Sequence, residues 1–402
     1  MNRPRVHHPR PQVHGQPTGP AQTGTLWALM AGNVVIGSGV MLVPGTLNEL
    51  SQSLEVGIAQ VGLLITAGAV LMGVGAPVLA SLVAGWDRRA LLSACLAWYG
   101  LLLGACAMAP DYASLLPLRV AAMLAPAVFT PQAAASVGLL VPESRRGRAI
   151  AFVFLGWSVA SVVGMPLAAW VGGSLGWRWA FGGVATLALL CAVWLWQVLP
   201  NGLRLVPLSI QAWKQTLGHA PLMAAVAVTL LSATSQFTLL SYFSAVFHQR
   251  FGTTPDTLAL LFLWFGAFGL MGNGIVARRV DQWGPHRAVS ITLALVGLSQ
   301  LLWPVPQSVV GMALVLVPWG LGSFATNSSQ QARLVGLNPA LAPASVALNT
   351  SAMYAGQAVG SAMGGWMITH GAMNHLHQAA AVWLVAAWLT SHWAQYLVRK
   401  FK

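Results

Sequence analysis

Long apolar segments recur along the whole sequence, and they restrict its fold more than any other feature. An α-helix rises 1.5 Å per residue, so about 20 apolar residues cross the roughly 30 Å hydrocarbon core of a bilayer. Of the 402 residues, 56% are hydrophobic and 7% are charged, whereas about a quarter of a soluble domain is charged. The sequence therefore predicts an all-α membrane protein.

Twelve apolar segments of spanning length can be counted, six on each side of a more polar linker. We predict spans at residues 26–45, 57–83, 90–108, 114–140, 149–172 and 179–199, and then at 220–247, 257–276, 288–304, 309–330, 345–369 and 379–397. The corresponding domains are a disordered basic tail at 1–24, a six-helix bundle at 25–199, a cytoplasmic linker at 200–219, a second six-helix bundle at 220–398 and a short cytoplasmic tail at 399–402.

Basic residues indicate which loops face the cytoplasm, because cytoplasmic loops of membrane proteins are rich in lysine and arginine. With a cytoplasmic amino terminus, nearly all of the 20 Lys and Arg residues fall on the cytoplasmic side, and only Arg178 and Arg250 fall opposite. Adding or removing one span would destroy this asymmetry. We expect a multi-pass protein of a bacterial inner membrane with both termini in the cytoplasm. The asymmetry also accounts for the net charge of +13 without nucleic-acid binding.

The two sets of spans resemble each other at a nearly constant offset. Trp86 and Trp283 are 197 positions apart, and Gly164 and Gly360 are 196 apart. Such internal repeats are typical of transporters whose substrate lies between two halves that rock about it. The two halves are therefore expected to be pseudo-symmetric.

Small residues at a spacing of four form a continuous groove on span 5, and a similar groove occurs on span 11. The groove residues are Gly156, Ala160, Gly164, Ala168 and Gly172, and then Gly356, Gly360 and Gly364. Small residues allow helix backbones to approach closely. The grooves either let one half slide against the other or serve static helix packing.

Several motifs together resemble the major facilitator superfamily, in particular its bacterial twelve-span efflux branch for drugs, sugars and nucleosides. The resemblance covers residues 25–402. Its motifs are Arg145-Arg146-Gly147-Arg148 before span 5, Gly164-Met165-Pro166 within it, Gly176-Trp177-Arg178-Trp179 after it, and Asn349-Thr350 with the span 11 glycines.

The resemblance implies roles for three groups of residues. A charged cytoplasmic gate would comprise Asp87, Arg88 and Arg89 after span 2, in a shortened form of the family motif, and Asp281, Gly284 and Arg287 after span 8. Gly164 and Pro166 resemble the antiporter motif of span 5. Arg119 matches the arginine of span 4, and it would bind substrate or assist proton transfer, or extend to the membrane surface instead.

All seven acidic residues fall in predicted loops or at helix ends. We therefore do not expect a cavity selective for cations, since a buried cation needs a paired charge. The remaining candidates for proton carriers are Glu49, Asp111, His248 and His370, near the outer face.

Neutral polar and aromatic residues within the spans are the candidate substrate-cavity residues. A polar amide facing lipid lacks a partner, so these side chains should face the protein interior. With Arg119, the set is Asn33, Gln132, Trp157, Gln236, Tyr242, Phe243, Asn327, Gln330, Asn349, Tyr354 and Gln357. Hydrogen bonds between helices would account for part of the set, and a cavity lined by the rest suits a neutral or anionic organic molecule.

The sequence favours a secondary transporter that works by alternating access and exports a small organic solute in exchange for protons. A facilitator or importer of the same fold is one alternative, and a non-transporting membrane sensor is another. We expect no enzymatic activity, cofactor, metal site or nucleic-acid partner, and a monomer in the lipid bilayer.

Overall fold

The computed structural model describes residues 20–83, 85–204 and 210–400, and these residues form helices joined by short turns. Most of the predicted basic tail, Ala84, residues 205–209 of the linker and residues 401–402 lie outside the described residues. Throughout, the proximal end of the molecule is the end where the described chain begins and finishes, and the distal end is opposite.

The first half consists of α1 to α9. Their bounds are α1 Pro20–Gly45, α2 Leu47–Ser53, α3 Ile58–Leu82, α4 Arg88–Ala107, α5 Tyr112–Ala122, α6 Leu124–Leu140, α7 Glu143–Val159, a π-helical turn Ala160–Gly164, α8 Met165–Leu175 and α9 Trp177–Val198.

The linker helix and the second half consist of α10 to α17. Their bounds are α10 Ile210–Gly218, α11 Ala220–Leu240, α12 Phe243–Phe251, α13 Pro255–Trp283, α14 Pro285–Leu302, α15 Val309–Leu337, a 3-10 turn Pro339–Leu341, α16 Ala342–Thr369, a 3-10 turn Met373–His375 and α17 Leu376–Lys400.

Nine stretches of the described residues have both the length and the hydropathy of a membrane span. They coincide with predicted spans 1 to 8 and span 10. The other three predicted spans correspond to α14, α16 and α17, with 18, 28 and 25 residues. Helix α14 packs against α15, α16 packs against α11 and α3, and α17 packs against α11. The chain has the predicted all-α membrane fold of two pseudo-symmetric helical bundles.

Two predicted spans are interrupted. Span 4 divides at Met123 into α5 and α6, three residues before Pro126. The ring of Pro126 would clash with the carbonyl of residue 122 in a regular helix, and proline has no N–H to donate to it. Span 7 divides at Ser241 and Tyr242, and α12 then continues to Phe251. The apolar pattern predicted both segments as continuous because the interruptions do not change their hydropathy.

Span 5 is also distorted, at the turn before Pro166. The N–H of Met165 donates to the carbonyl oxygen of Ala160, five residues earlier, in the π-helical turn Ala160–Gly164. Proline in a helix clashes with the carbonyl four residues before it, so a wider turn relieves the strain. Gly164 and Pro166, the predicted antiporter motif, therefore lie at an irregular point of the helix.

Some predicted irregular segments are helical. The short helices α2 and α10 lie in a predicted loop and in the predicted linker. In addition, α1 begins at Pro20 and α17 ends at Lys400. Residues 20–24 and 399–400, which were predicted to belong to the tails, are therefore helical. Neither short helix is long enough to cross a bilayer, and a search for apolar spans therefore does not find them.

The grooves of small residues on spans 5 and 11 pack within their own halves. A Cβ atom at Gly156 would fall under 3.0 Å from the carbonyl oxygen of Met30 on α1, and one at Gly356 would meet the carbonyl oxygen of Leu230 on α11 in the same way. The contacts repeat two turns further along, between Gly164 and Ser38 and between Gly364 and Thr238. The static-packing alternative therefore accounts for both grooves.

The two halves meet mainly through two helix pairs, α3 with α16 and α8 with α13. At the distal end, Asn48 on α2 donates through Nδ2 to Oγ of Ser244 on α12 at 2.9 Å. In the same region the side chain of Tyr242 lies against Gly62 of α3. Contacts between side chains of the two halves thus hold the distal end closed.

Gly272 provides a test of how far the packing depends on close backbone approach. A methyl group at Gly272 would collide with the backbone of Leu321 on α15, so we expect Gly272→Ala to destabilise the protein by about 1–3 kcal/mol. Gly274 on the same helix has open space around it, so Gly274→Ala is the matched control and should be neutral or slightly stabilising. Thermal unfolding in detergent measures both, and equal melting temperatures for the two variants would contradict the prediction.

Candidate functional site

A polar cluster joins three spans of the first half. Asn33 on α1 is completely buried, and its Nδ2 donates to the carbonyl oxygen of Val153 on α7 at 3.0 Å. The hydroxyl of Thr130 on α6 donates to Oδ1 of Asn33 at 2.9 Å, and the indole N–H of Trp157 donates to the Thr130 oxygen at 3.1 Å. The structure therefore brings Asn33 and Trp157 together through Thr130, which the sequence analysis did not select.

A larger network joins spans 7, 10 and 11 of the second half. The hydroxyl of Thr229 on α11 donates to Oδ1 of Asn349, and Nδ2 of Asn349 donates to Oδ1 of Asn327 at 3.2 Å. Gln330 donates through Nε2 to the carbonyl oxygen of Ala225 at 2.8 Å and to the Thr229 oxygen at 3.3 Å. Three of the predicted cavity residues thus belong to one network.

The two clusters occupy corresponding places in the halves. Asn33 and Val153 are 120 residues apart in the sequence, and so are Thr229 and Asn349. Each pair joins the first helix of its half to the helix that carries the groove of small residues. The internal repeat of the sequence is therefore also a repeat of polar contacts.

Gln236 belongs to a second polar cluster of the second half. Its Oε1 accepts hydrogen bonds from the Ser323 hydroxyl at 2.7 Å and from the indole N–H of Trp319 at 3.4 Å. Trp319 also contacts Phe243 edge to face, with ring centroids 5.1 Å apart. Phe243 is 1% exposed and stacks on Trp303, so it lies in a packed aromatic core.

All groups in these clusters are uncharged. Amide and hydroxyl groups both donate and accept hydrogen bonds, and two of the residues, Trp157 and Asn327, are only half-buried. Such groups can bind the hydroxyl, carbonyl or amide groups of a polar organic molecule, and the neighbouring aromatic rings can cover its apolar faces.

A family model described as the Major Facilitator Superfamily matches residues 29–365 of the chain. The chain belongs to the major facilitator superfamily. The match confirms the family that the sequence motifs predicted, and it covers most of both bundles.

Similar proteins are membrane transporters. The inner membrane transport protein YdhP of Escherichia coli K12 is 29% identical over 351 residues, which cover 86% of this chain and 89% of YdhP. A Helicobacter pylori protein named "Probable sugar efflux transporter" is 26% identical and covers 89% of this chain and 90% of its own length. Among solved structures, a bacterial homologue of the human lysosomal transporter Spinster, in an inward-facing and unoccupied conformation, has a TM-score of 0.77 at 16% identity, with 96% of this chain and 99% of that chain covered.

Arg119, the arginine of the superfamily motif in span 4, lies inside the first half. Its side chain is 2% exposed, and Nη2 donates to the carbonyl oxygens of Gly39 at 2.8 Å and Val40 at 3.3 Å on α1. The guanidinium carbon is 5.9 Å from the ring centroid of Phe181 on α9. Arg119 thus joins helices of one bundle and does not extend to the membrane surface.

The first copy of the predicted gate contacts residues of its own half and of the linker. Asp87 caps α4 and accepts a hydrogen bond from the N–H of Gly202 at 2.6 Å. Arg88 is fully buried and donates to Oε1 of Gln132 and to the carbonyl oxygen of Val83. Gln132, predicted as a cavity residue, therefore accepts a hydrogen bond from Arg88 of the predicted gate.

The other gate residues lie at the proximal end. Arg89 donates to Oδ1 of Asn201 at 3.0 Å and lies 4.6 Å from the ring centroid of Trp196. In the second copy, Asp281 and Arg287 are exposed, and Gly284 has a φ of 80° between α13 and α14. A side chain is rarely tolerated at such a positive φ, so the sharp connection between these helices requires glycine.

The four candidate proton carriers all lie at the distal end, but in different surroundings. Asp111 caps α5 and accepts hydrogen bonds from the N–H and hydroxyl of Ser114, which lower the pKa of its carboxyl group and keep it ionised. His370 is exposed and packs against Trp366. Glu49 and His248 instead lie at the junction of the two halves.

The remaining predicted residues do not join the polar clusters. Tyr242 donates to the carbonyl oxygen of Ser361 at 2.7 Å and packs between the halves. Tyr354 and Gln357 are buried on α16. Sequence reasoning missed Thr130, Thr229 and Ser323 because it selected amides and aromatic residues and passed over hydroxyl groups within the spans.

Thr229 tests the network of the second half. Thr229→Val keeps the shape of the side chain but leaves Oδ1 of Asn349 without its donor, so we expect a loss of about 1–2 kcal/mol of stability. Thr350→Val is the matched control, because the Thr350 hydroxyl donates only to the carbonyl of Val346 on the same helix. A chemical or thermal unfolding series compares the two variants, and equal stability would show that the network contributes nothing to folding.

Proposed function

We propose that this protein is a secondary active transporter that exports a small, polar organic solute across the bacterial inner membrane in exchange for protons. The main support is the pair of uncharged polar networks at corresponding places in the two bundles. A binding site between two such surfaces can be exposed to either side of the membrane when the bundles, residues 25–199 and 220–398, rock against each other.

The charges of the structure favour a neutral solute. Arg119 directs its guanidinium to carbonyl oxygens of α1, and the clusters that include Asn33, Thr229 and Gln236 contain only amides, hydroxyls and indoles. An anionic solute would lack a free cationic partner at these clusters. A molecule with several hydroxyl or carbonyl groups fits them best.

The contacts at the distal end support a conformation closed on one side. With both termini in the cytoplasm, as the distribution of basic residues predicts, the distal end would face the periplasm, and we propose that this form of the protein is closed on the periplasmic side. Export is supported by the name of the Helicobacter pylori relative, a sugar efflux transporter. We further propose that the transporter acts as a monomer.

Transport can be tested with purified protein in liposomes. A panel of sugars, nucleosides and small amphiphilic compounds would be screened for flux with and without a pH gradient. The proposal predicts flux that depends on the gradient and collapses when a protonophore is added. Flux that ignores the gradient would indicate a facilitator, solute uptake together with protons would indicate an importer, and no flux for the whole panel would favour a sensor.

Asn327 tests the position of the site. The residue is half-buried at the edge of the network, so Asn327→Ala removes an amide available to solute, and Asn349 keeps its hydrogen bond from Thr229 but loses the acceptor of its Nδ2. One lost neutral hydrogen bond of about 0.5–1.5 kcal/mol to the solute should raise the apparent KM of the folded protein about two- to tenfold, and the unpaired Nδ2 should lower the stability by about 1 kcal/mol. Gln211→Ala on the exposed face of α10 is the control. An unchanged KM for Asn327→Ala would exclude this network from the binding site.

A further inference from the structure

A short helix of the first half contacts the second half at the distal end. Helix α2 packs against α12, and Asn48 donates to both the hydroxyl oxygen of Ser244 at 2.9 Å and its carbonyl oxygen at 3.2 Å. The next residue of α2 is Glu49. Its position is therefore fixed by a contact that must break when the distal end opens.

The carboxyl group of Glu49 is enclosed beside a second contact between the halves. Its Oε2 has no access to solvent and accepts no hydrogen bond. Its Oε1 is 3.5 Å from the point where a Cβ atom on Gly173 of α8 would lie, and the ring of Pro255 from α13 approaches that same point. Glu49 thus lies next to a close contact between α8 and α13.

Enclosure favours the neutral form of this carboxyl group. An ionised carboxylate with an unpaired oxygen away from water is costly, whereas the protonated group carries no net charge. Burial raises the pKa of Glu49 above its ordinary value, and a hydrogen bond from its own backbone N–H and the nearby His248 on α12 lower it by smaller amounts. Opening of the distal end would return the carboxyl group to water and favour ionisation.

We propose that Glu49 is the proton-binding residue of a distal gate, protonated when α2 and α8 are closed against α12 and α13, and ionised when they separate. The inference rests on the proposed alternating-access function and adds its regulation. A proton taken up from the distal side favours closure and returns the empty transporter to the form that is open proximally. Because Glu49 lies at the distal end, its proton returns to the distal side when the gate reopens, so Glu49 controls closure without carrying protons across the membrane.

Other charged groups surround this junction. Helix α12 carries His248 and Arg250, and the first turn of α13 contains Asp256. Arg178 of α9 donates to the hydroxyl of Ser53 at the end of α2. Arg250 donates to the carbonyl oxygens of residues 303, 304 and 306 and so is engaged away from the gate. His248 is therefore the other titratable group whose effect must be separated from that of Glu49.

A cleft of about 220 Å³ lies between α2 and α12, lined by Asn48, Ser51, Gln52, Ala245, His248 and other residues of both halves. Its walls come from the two elements that separate on opening, and Asn48, the residue before Glu49, is one of its lining residues. Widening of this cleft would therefore bring distal water to the carboxyl group of Glu49.

The direction of the pH effect follows from linkage. The closed form binds the Glu49 proton more tightly than the open form, so closure is favoured at low pH, and this advantage disappears as the pH rises through the raised pKa of the closed form. Each unit of difference in pKa between the two forms changes their ratio by up to about tenfold.

The test measures the distal distance between the halves without any solute. Spin labels would be attached to Ala113→Cys on α5 and Asn374→Cys near α17, both exposed at the distal end, in a protein whose three native cysteines are replaced by alanine. Double electron–electron resonance then gives the populations of short and long distances in nanodiscs at mildly alkaline and mildly acidic pH.

We expect acidification to increase the short-distance population of the parent protein several-fold. Glu49→Gln, which resembles the protonated form, should keep the short distance at both pH values. Glu55→Gln is the matched control, since Glu55 is an exposed glutamate six residues away at the same end, and it should retain the full pH response. Expression and melting temperature verify that each variant folds.

The proposal is overturned if Glu49→Gln responds to pH as the parent does, or if His248→Gln abolishes the response while Glu49→Gln preserves it. Its failure is distinguishable from failure of the transport proposal. The distances require no solute, whereas the transport proposal fails through the absence of flux in liposomes, irrespective of how the gate responds to pH.

Discussion

Helices of this protein approach each other closely at glycines, and the arrangement of both bundles depends on these contacts. Lipid chains are as apolar as the side chains they surround, so helices in a membrane associate through close packing and hydrogen bonds and gain little from the hydrophobic effect. Gly156 contacts Met30 and Gly356 contacts Leu230, so spans 1 and 5 of the first half and spans 7 and 11 of the second half come close together. These approaches place Asn33 within reach of Val153, and Thr229 within reach of Asn349, so the polar networks are a consequence of the glycine contacts.

Uncharged and charged polar groups are separated in the structure. Amides and hydroxyls join helices inside each bundle, and Asp87 and Arg89 cap or brace the proximal ends of helices. Arg88, Arg119 and Arg333 bring charge into the interior, where their side chains are buried. Nη2 of Arg119 donates to carbonyl oxygens of α1, whereas its Nε and Nη1 have no hydrogen-bond partner among the described residues. The polar clusters that include Asn33, Thr229 and Gln236 themselves consist of uncharged groups.

The sequence predicted the spans well because hydropathy is a local property, and it predicted the family because several motifs occur in order. It could not predict the break at Met123, since Pro126 stops the helix without changing its hydropathy. Partners were harder to predict, because a hydroxyl such as Thr229 bonds either its own helix or a neighbour, and only the packing decides. Gln132 was assigned to the cavity but supports Arg88, and Glu49 was one of four equivalent candidates until the fold placed it beside Gly173 and Pro255.

The π-helical turn before Pro166 affects the geometry of the whole first bundle. A four-residue repeat drifts about 40° at each step around a helix of 3.6 residues per turn, so over residues 156–172 it would rotate about 160° away from α1. One additional residue in the turn reverses about 100° of that rotation. Gly172 consequently still faces α1, where it meets Thr46. The shorter groove at residues 356–364 rotates only about half as far. The π-helical turn before Pro166 thus keeps the small residues of span 5 directed at the first helix along the whole groove.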